Sequence, residues 1–485
     1  MIAAHDADPG AAVLRSFRDP AGVLIRYRER ILRAVHPDGV ADLEAFLATA
    51  AAREALEAGK LVRSARITPS EIPELAPESE YLLEHERVPF PSYPSEWPPE
   101  MLHAAGALTI ELAQRALDEG FGLKDATPYN VLFRGSRPVF IDVLSFERRQ
   151  PLDPAWMAYA QFVRTFLLPL LVNRAFGLPL ACILSSHRDG LEPETVYGWA
   201  GFWRRLTPRF LGLVSMPKWL GASKSSDASL YRPKSAASAG QARYIVNGVL
   251  RSCARHLAAL EPGAVPGEST WSGYLDHKSL YTPAQLAQKE AFVSEALALA
   301  RPRTVLDVGA NEGHFSFLAA ATGASVLAID SDPVVTGSIW RRASRAQADV
   351  LPLVVDLARP TPATGWRNVE CASFLDRARG HFDMVLMLAV VHHMLVTERI
   401  PLDDLLTLAG ELARDYVLIE FVASEDPMFQ KLVRGRQGLY SHLTNVVFEA
   451  AAAPRFELVR SARIHGLHRW LYLFRRRGAT NSRTY

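Results

Sequence analysis

The chain contains little cysteine. Three cysteines, Cys182, Cys253 and Cys371, are spread widely through 485 residues. Disulfide frameworks and structural zinc sites need cysteines in even or closely spaced sets, so neither is predicted. The N-terminus MIAAHDADPGAAV also lacks the basic start and apolar stretch of an export signal. Both observations favour a reducing, cytoplasmic location.

Long apolar runs and a large excess of charge are absent as well. The most apolar segment, TFLLPLLVNRAFGLPLACIL, is interrupted by Asn173 and Arg174, whereas a membrane span needs about 20 consecutive apolar residues. Buried helices are the preferred interpretation of this segment. A nearby stretch, WRRLTPRFLGLVSMPKWLG, has the aromatic and basic mixture of helices that lie on membranes. The formal net charge of +2 gives no reason to expect a nucleic-acid partner.

The composition supports more than one folded core. Hydrophobic residues make up 49% of the chain and charged residues 22%, which is ordinary for globular proteins. The clearest boundary is GASKSSDASLYRPKSAASAG, residues 221–240, which has little that could anchor a core. We therefore expect domains over residues 1–220 and 271–485, joined by a linker over residues 221–270 that contains one helix.

Residues 305–332 carry the most informative pattern, VLDVGANEGHFSFLAAATGASVLAIDSD. It predicts a buried strand, a turn bracketed by Gly309 and Gly313, a helix and a second strand. Asp330 ends that second strand, seventeen residues after Gly313, where a carboxylate is placed to accept the hydroxyl protons of a ribose. The G-x-G-x-x-G spacing of dinucleotide sites is missing, which disfavours NAD.

These residues resemble motif I and the following acidic position of class I S-adenosylmethionine-dependent methyltransferases. Later apolar strands separated by helical segments favour a parallel sheet buried on both faces. Two final strand-like runs match the antiparallel hairpin with which such domains usually close. The resemblance covers about residues 271–485 and implies an α/β, Rossmann-like domain with a mainly parallel sheet.

The resemblance also implies a cofactor site for S-adenosylmethionine, with no metal in this domain. Its residues are Asp307, Gly309, Asn311, Gly313, Asp330 and Asp356. The backbone of the glycine turn would hold the methionine part, Asp307 would reach the ammonium group, and Asp330 would bind the ribose. Asp356 matches the position that contacts the adenine amino group, although a helix-capping role is equally ordinary there.

Three residues are candidates for proton transfer. His392 and His393 follow the fourth strand of the predicted sheet, at the edge where open α/β sheets bind ligands. Either could act as a base, and a purely structural role is the alternative. Glu420, at the end of LIEF, is a further candidate. A base is needed only if the acceptor is a hydroxyl or a protonated nitrogen. In the predicted lead-in, Tyr274, Tyr281 and Lys289 could line the site, with core packing the safer interpretation of the two tyrosines.

A second signal lies in residues 123–147, LKDATPYNVLFRGSRPVFIDVLSFE. Asp125, Asn130 and Asp142 have the spacing that places a base and two magnesium ligands in phosphotransferases. The segment resembles the catalytic lobe of protein kinases and aminoglycoside phosphotransferases, which implies an α+β kinase-like domain. Leu123 stands where a histidine is expected, the tripeptide at Asp142 is DVL, and residues 1–80 show neither a glycine-rich loop nor a clear V-A-I-K strand.

Together these patterns predict a methyltransferase whose N-terminal kinase-like domain recognises a substrate or partner. The acceptor is open among small metabolites, glycan-type molecules and proteins. The alternatives are a bifunctional enzyme whose first domain binds Mg-ATP and transfers a phosphoryl group, and a scaffold that catalyses neither reaction. A chance match of the kinase-like loop is a further alternative.

Overall fold

The structure is a computed structural model that describes residues 14–15, 20–72, 80–222, 235–263 and 281–478. Tyr274 lies outside these ranges. The chain divides into two compact units: Met1–Ser95, Pro99–Arg134 and Pro138–Pro262 form the first, and Glu96–Pro98, Gly135–Arg137 and Gly263–Tyr485 the second.

The first unit begins with a five-stranded antiparallel sheet. Its strands are β1 (Leu14–Arg15), β2 (Gly22–Tyr27), β3 (Arg30–Val35), β4 (Ser64–Ile67) and β5 (Leu82–His85), in the order β1-β2-β3-β5-β4. Helices α1 (Pro37–Leu47) and α2 (Ala50–Glu57) connect β3 to β4. Strand β3 has the sequence RILRAV, which contains two arginines and no lysine.

Four short strands follow the long helix α3 (Pro99–Asp118). They are β6 (Phe121–Leu123), β7 (Val131–Arg134), β8 (Arg137–Phe140) and β9 (Phe146–Arg148). β6 pairs with β9, and β7 pairs with β8. The loop between β6 and β7 carries Asp125 and Asn130, and Asp142 follows β8. A helix, a loop and two pairs of short strands follow one another here, in agreement with the α+β architecture expected of the N-terminal half.

Helices complete the first unit. They are α4 (Tyr159–Phe162), α5 (Leu168–Phe176), α6 (Leu180–Ser186), α7 (Pro193–Trp199), α8 (Phe202–Arg205), α9 (Pro208–Phe210), α10 (Met216–Ala222) and α11 (Ala239–Ala258), with π-helical turns at Val163–Leu167 and Leu211–Ser215. The apolar segment forms α5 and α6 and is largely buried, as predicted. Within the described ranges, no helix is long and apolar enough to cross a membrane.

The helix that sequence reasoning assigned to a linker belongs to the first unit. α11 buries Val246, Leu250 and Leu257 along one face, and Leu257 packs beside Gly106 of α3. An amphipathic helix of 20 residues gains stability by burying its apolar face against a neighbour. The first unit therefore extends to Pro262 rather than ending at residue 220.

The second unit is built on one seven-stranded sheet in the order β12-β11-β10-β13-β14-β16-β15. Its strands are β10 (Thr304–Val308), β11 (Ser325–Asp330), β12 (Val350–Val354), β13 (Phe382–Met387), β14 (Ala413–Val422), β15 (Phe456–Arg463) and β16 (Arg469–Arg476). Strands β10 to β14 run parallel, and β16 runs antiparallel to β14 and β15. The mainly parallel sheet with an antiparallel closing hairpin confirms the Rossmann-like methyltransferase fold.

Helices cover the sheet. They are α12 (Pro283–Ala300), α13 (His314–Ala320), α14 (Pro333–Ala346), α15 (Phe374–Ala378), α16 (Val391–Val396), α17 (Leu402–Leu412), α18 (Pro427–Val433) and α19 (Asn445–Ala452). Every residue of β13 is buried, as expected of a central parallel strand whose two faces both pack against helices. The chain crosses back from each parallel strand to the next, so the carboxyl ends of β10, β11, β12 and β13 share one edge.

Candidate functional site

A cavity of about 310 Å³ opens at this shared edge. Its lining includes five of the six cofactor residues named from the sequence, Asp307, Gly309, Asn311, Asp330 and Asp356. These residues come from the ends of three neighbouring strands, so parallel strand ends bring distant parts of the sequence to one place. Gly313, the sixth, lies just behind the cavity at the start of α13.

The glycine turn is fixed by backbone geometry. Gly309 and Gly313 have φ of +67° and +77°, in the left-handed region that side chains disfavour. A Cβ atom on Gly313 would also lie 3.0 Å from Ile339 Cγ1 of α14. The amides of Gly309 and Ala310 both donate to the Ile329 carbonyl, at 2.9 and 3.0 Å. The turn therefore packs closely against β11, which brings it beside Asp330.

Asp330 fastens the turn to the second strand. Its Oδ2 accepts from the amide of Asn311 at 2.9 Å, and its Oδ1 accepts from the amide of Asp332 at 3.0 Å. Burial raises the pKa of this carboxyl. The amide of Ser331 also donates to this carboxylate. Because a carboxylate offers about four lone-pair sites, it keeps capacity to accept from a ligand hydroxyl.

The polar groups beside the turn suit a cationic ligand. Asp307 is almost fully buried and accepts from Ser316 Oγ at 2.6 Å. Burial raises its pKa to about 6, although the Ser316 hydrogen bond and Lys289 oppose that shift. Within the described part of the chain, the buried Asn311 Oδ1 has no hydrogen-bond donor. An acceptor left unsatisfied costs free energy that an ammonium donor would recover. The cavity residues therefore fit the methionine part of S-adenosylmethionine.

Asp356 lines the cavity, but the helix-capping alternative was wrong, because the residues that follow it form a turn rather than a helix. It lies just after β12 and lines the cavity. Its Oδ1 also accepts from the amide of Ala358 at 2.9 Å, and Arg359 NH2 lies 3.0 Å from its Oδ2. These contacts hold the turn and leave the carboxylate at the cavity, because a carboxylate accepts several hydrogen bonds.

The two adjacent histidines differ in position. Both lie in α16, and His393 lines the cavity while His392 does not. His392 is 3% exposed, and its Nδ1 has no hydrogen-bond partner among the described residues. Burial lowers the pKa of both rings, with further lowering from Arg469. Both rings are therefore neutral near pH 7, the form in which His393 could accept a proton from a ligand.

Glu420 lies behind the cavity wall, within a buried polar cluster. Its Oε2 lies 2.6 Å from Lys289 Nζ, its Oε1 accepts from the hydroxyl of Tyr281, and Arg469 NH1 approaches Oε1 at 3.4 Å. Although burial by itself raises the pKa of Glu420, Lys289 and Arg469 lower it below its ordinary value. Glu420 is thus an ionised partner of two cations. Tyr281 and Lys289 line the cavity. Tyr281 also packs in the hydrophobic core, which was the preferred interpretation from the sequence.

A second polar cluster occupies the kinase-like unit. Arg33 of β3 donates from NH1 to Asp142 Oδ1 at 2.8 Å, and Ser145 Oγ donates to Asp142 Oδ2. Asn130 Nδ2 lies 3.5 Å from the Asp125 carbonyl and 3.4 Å from Ser145 Oγ. The three residues named from the sequence are therefore brought together. Sequence reasoning missed Arg33, because nothing in its local sequence connects it with Asp142, 109 residues further along the chain.

This cluster fits Mg-ATP poorly. Arg33 pairs with one oxygen of Asp142 and Ser145 donates to the other, so a divalent cation bound to this carboxylate would lie close to the guanidinium and be repelled by its charge. The connection between β1 and β2, residues 16–21, has the sequence SFRDPA without a glycine. Phosphates would therefore lack the glycine-rich cover found in kinases.

Comparison with known proteins assigns the chain to a family. No protein-family model matches it. The chain is 30% identical over 475 residues to "Nodulation protein NoeA" of Rhizobium meliloti (strain 1021), and the match covers 96% of each chain. The chain belongs to the NoeA family. The match to NoeA spans both halves of the chain.

Solved structures resemble only part of this NoeA-family chain. WbdD is 19% identical with a TM-score of 0.29, and the match covers 42% of each chain, so less than half of WbdD is spanned. The N-methyltransferase NodS from Bradyrhizobium japonicum WM9 is 11% identical with a TM-score of 0.29, over 40% of this chain and 97% of NodS. Its complex with S-adenosyl-L-homocysteine gives 14% identity and a TM-score of 0.30, over 43% and 94%.

Proposed function

We propose that this NoeA-family chain transfers a methyl group from S-adenosylmethionine to an acceptor. One observation carries the proposal: Asp307, Asn311 and Asp330 meet in a single cavity at the carboxyl edge of the parallel sheet. When bound, S-adenosylmethionine supplies a methyl group that its sulfonium already activates. The protein's remaining task is to align the acceptor and exclude water.

Each part of the cavity then has a role. Asp330 accepts hydrogen bonds from the ribose hydroxyls, and Asp307 with Asn311 Oδ1 accepts from the ammonium group. Asp356 lies at the far strand end, where it would accept from the adenine amino group. Gly309 and Gly313 allow the turn to approach the ligand closely, because no side chain projects from either.

His393 is the preferred base where the acceptor needs one. It lines the cavity, and burial lowers its pKa so that the neutral ring is available at pH 7. His392 would support α16 from within the core. Glu420 would hold Lys289 and Tyr281 in place at the cavity wall rather than move a proton, since its carboxylate is already bound by both.

For the kinase-like unit we propose recognition of the acceptor or of a partner rather than phosphoryl transfer. The Arg33–Asp142 ion pair supports this choice, because it occupies the carboxylate that would hold magnesium. The acceptor remains open among small metabolites, glycan-type molecules and proteins. The bifunctional enzyme and the scaffold are the competing functions. The name of NoeA refers to nodulation and specifies no reaction, so the proposal rests on the residues of the cavity.

Calorimetry on the full chain tests the proposal. S-adenosylmethionine and S-adenosylhomocysteine should bind one site and compete, while NAD and ATP should leave that binding unchanged. Tritiated S-adenosylmethionine should then label a component of an extract of the source cells. Absence of binding at millimolar cofactor would contradict the cofactor assignment, and binding without any labelled product would favour the scaffold.

A further inference from the structure

One surface of the first unit combines cations with exposed aromatic side chains. Residues 195–222 contain Arg204, Arg205, Arg209 and Lys218 and no aspartate or glutamate. They form the end of α7, then α8, α9, a π-helical turn and α10. The segment therefore has a formal charge of +4, since four basic residues meet no acidic one. We call it the aromatic-basic surface.

Large apolar side chains of this surface face solvent. They are Trp199, Phe202, Trp203, Leu206, Met216, Trp219 and Leu220, between 43% and 81% exposed. Of the four tryptophans exposed in the described residues, three lie here and Trp366 lies in the second unit. Scattered single apolar residues on a surface are ordinary, whereas a concentration of this kind marks an interaction site.

The surface belongs to a folded structure. Phe210, Leu213 and Val214 of the same segment are buried and anchor it in the unit. Ser215 Oγ donates to the Arg205 carbonyl at 2.8 Å, and Trp219 Nε1 donates to the Tyr197 hydroxyl at 3.4 Å. The segment thus has a buried apolar side, which anchors it in the unit, and an exposed apolar side, which faces solvent.

The charge decides which partner fits. The four basic residues of this segment favour an anionic partner, although Glu194 of α7 directly precedes it. The exposed indole and phenyl rings favour an apolar layer close to those anions. A bilayer with anionic phospholipids provides both at a fixed depth, phosphates outside and acyl chains beneath. Tryptophan is well suited to this boundary because its ring is apolar and its N–H is polar.

We propose that the aromatic-basic surface binds the face of a membrane that contains anionic phospholipids. The rings of Phe202, Trp203 and Trp219 enter the headgroup region, and Arg204, Arg209 and Lys218 lie near the phosphates. The attachment is peripheral. This inference does not depend on the methyl-transfer proposal, because the aromatic-basic surface lies in the first unit and the cofactor cavity in the second.

Sedimentation of the full chain with vesicles tests the proposal. Vesicles of phosphatidylcholine with about 30% phosphatidylglycerol should bind the chain, and pure phosphatidylcholine should bind several-fold less. Raising the salt from about 0.05 M to about 0.5 M should weaken binding, because salt screens charges at the membrane surface. Tryptophan emission of the unaltered chain should shift to shorter wavelength as rings enter the headgroup region.

Substitutions then locate the contact. The double variant Phe202→Ser with Trp203→Ser should lose most vesicle binding, and Arg209→Gln with Lys218→Gln should lose the dependence on phosphatidylglycerol. Trp366→Ser is the matched control, since Trp366 is also exposed but lies in the second unit. The proposal is overturned if the unaltered chain neither sediments with anionic vesicles nor shifts its emission. Equal losses in the control and the double variant would overturn it too.

Discussion

Lys289 Nζ lies 2.6 Å from Glu420 Oε2, and the two side chains are 5% and 0% exposed. They come from α12 and β14. Removing charges from water is costly, and a buried pair recovers that cost only while both partners are present. Since Lys289 also lines the cavity, this ion pair connects the stability of the second unit to the shape of its ligand site.

Lys289→Met should therefore destabilise the second unit strongly. It leaves the buried Glu420 without its nearest cation, a change that typically costs about 3–5 kcal/mol. Urea unfolding followed by fluorescence would measure it. The matched control is Lys60→Met, which breaks the Lys60–Glu111 pair, whose side chains are 42% and 40% exposed, and should cost less than about 1 kcal/mol. Equal losses would show that the buried pair contributes no more than a surface one.

Asp330→Asn should weaken the binding of S-adenosylhomocysteine. The amide keeps the shape of the side chain but removes the negative charge. Hydrogen bonds from the ribose hydroxyls to the charged carboxylate should contribute about 1.5–3 kcal/mol to binding. Calorimetry on the full chain would measure the change. Asp404→Asn, at an exposed position in the first turn of α17, should leave affinity unchanged. An unaltered affinity in Asp330→Asn would contradict the assignment of Asp330 to the ribose.

Cofactor binding should depend on pH through Asp307. Its pKa is raised to about 6, so lowering the pH through 6 protonates the carboxyl and removes the charge that attracts an ammonium. Affinity should fall as the pH falls below 6, and Asp307→Asn should flatten that part of the profile. Asp330 also has a raised pKa, so it should still contribute to the pH dependence of affinity in the variant. Calorimetry from about pH 5 to about pH 8 would show the dependence, and an identical slope in the variant would contradict the assignment.

The same shift has a consequence for the unliganded protein. Because the pKa of Asp307 in the folded state lies above its ordinary value of 3.8, its ionised form is disfavoured by folding. The contribution of Asp307 to stability is therefore largest below pH 3.8 and is lost as the pH rises through about 6. Asp307→Asn should remove this dependence from the free energy of unfolding.

The two histidines should separate by their effects. His393→Ala should lower methyl transfer to the labelled component of the extract by about 10²-fold, with little change in cofactor affinity. His392→Ala should lower the melting temperature more than the rate, because His392 is buried away from the cavity. Initial rates and melting curves for both variants would decide. Full activity in His393→Ala would show that His393 is not the base. Catalysis would then depend on alignment of the acceptor alone.

Because of Arg33, magnesium should not change the melting temperature of the kinase-like unit. In the unaltered chain, millimolar Mg-ATP should not raise the melting temperature, because Arg33 already neutralises Asp142. Arg33→Met should lower the melting temperature, and Mg²⁺ should restore part of that loss by taking the place of the guanidinium. The double variant with Asp142→Asn should show no response to magnesium. Magnesium-dependent ATP turnover that disappears in Asp125→Ala would instead establish an active phosphotransferase.

The sequence by itself determined the elements of both units that local chemistry specifies. Gly309 and Gly313 required a turn with positive φ, apolar runs required buried parallel strands, and Asp330 had to fall at a strand end. In the first half, the spacing of Asp125, Asn130 and Asp142 indicated the loop and the strand pair that follow α3. Each of these signals spans few residues and depends on backbone geometry.

Only the tertiary structure decided which side chains meet. His392 and His393 are neighbours in sequence, and the orientation of α16 places His393 alone at the cavity. Arg33 reaches Asp142 across 109 residues, and Glu420 is held by a lysine from α12. Such pairings depend on how elements pack, which burial of apolar faces determines and which spacing along the chain does not record.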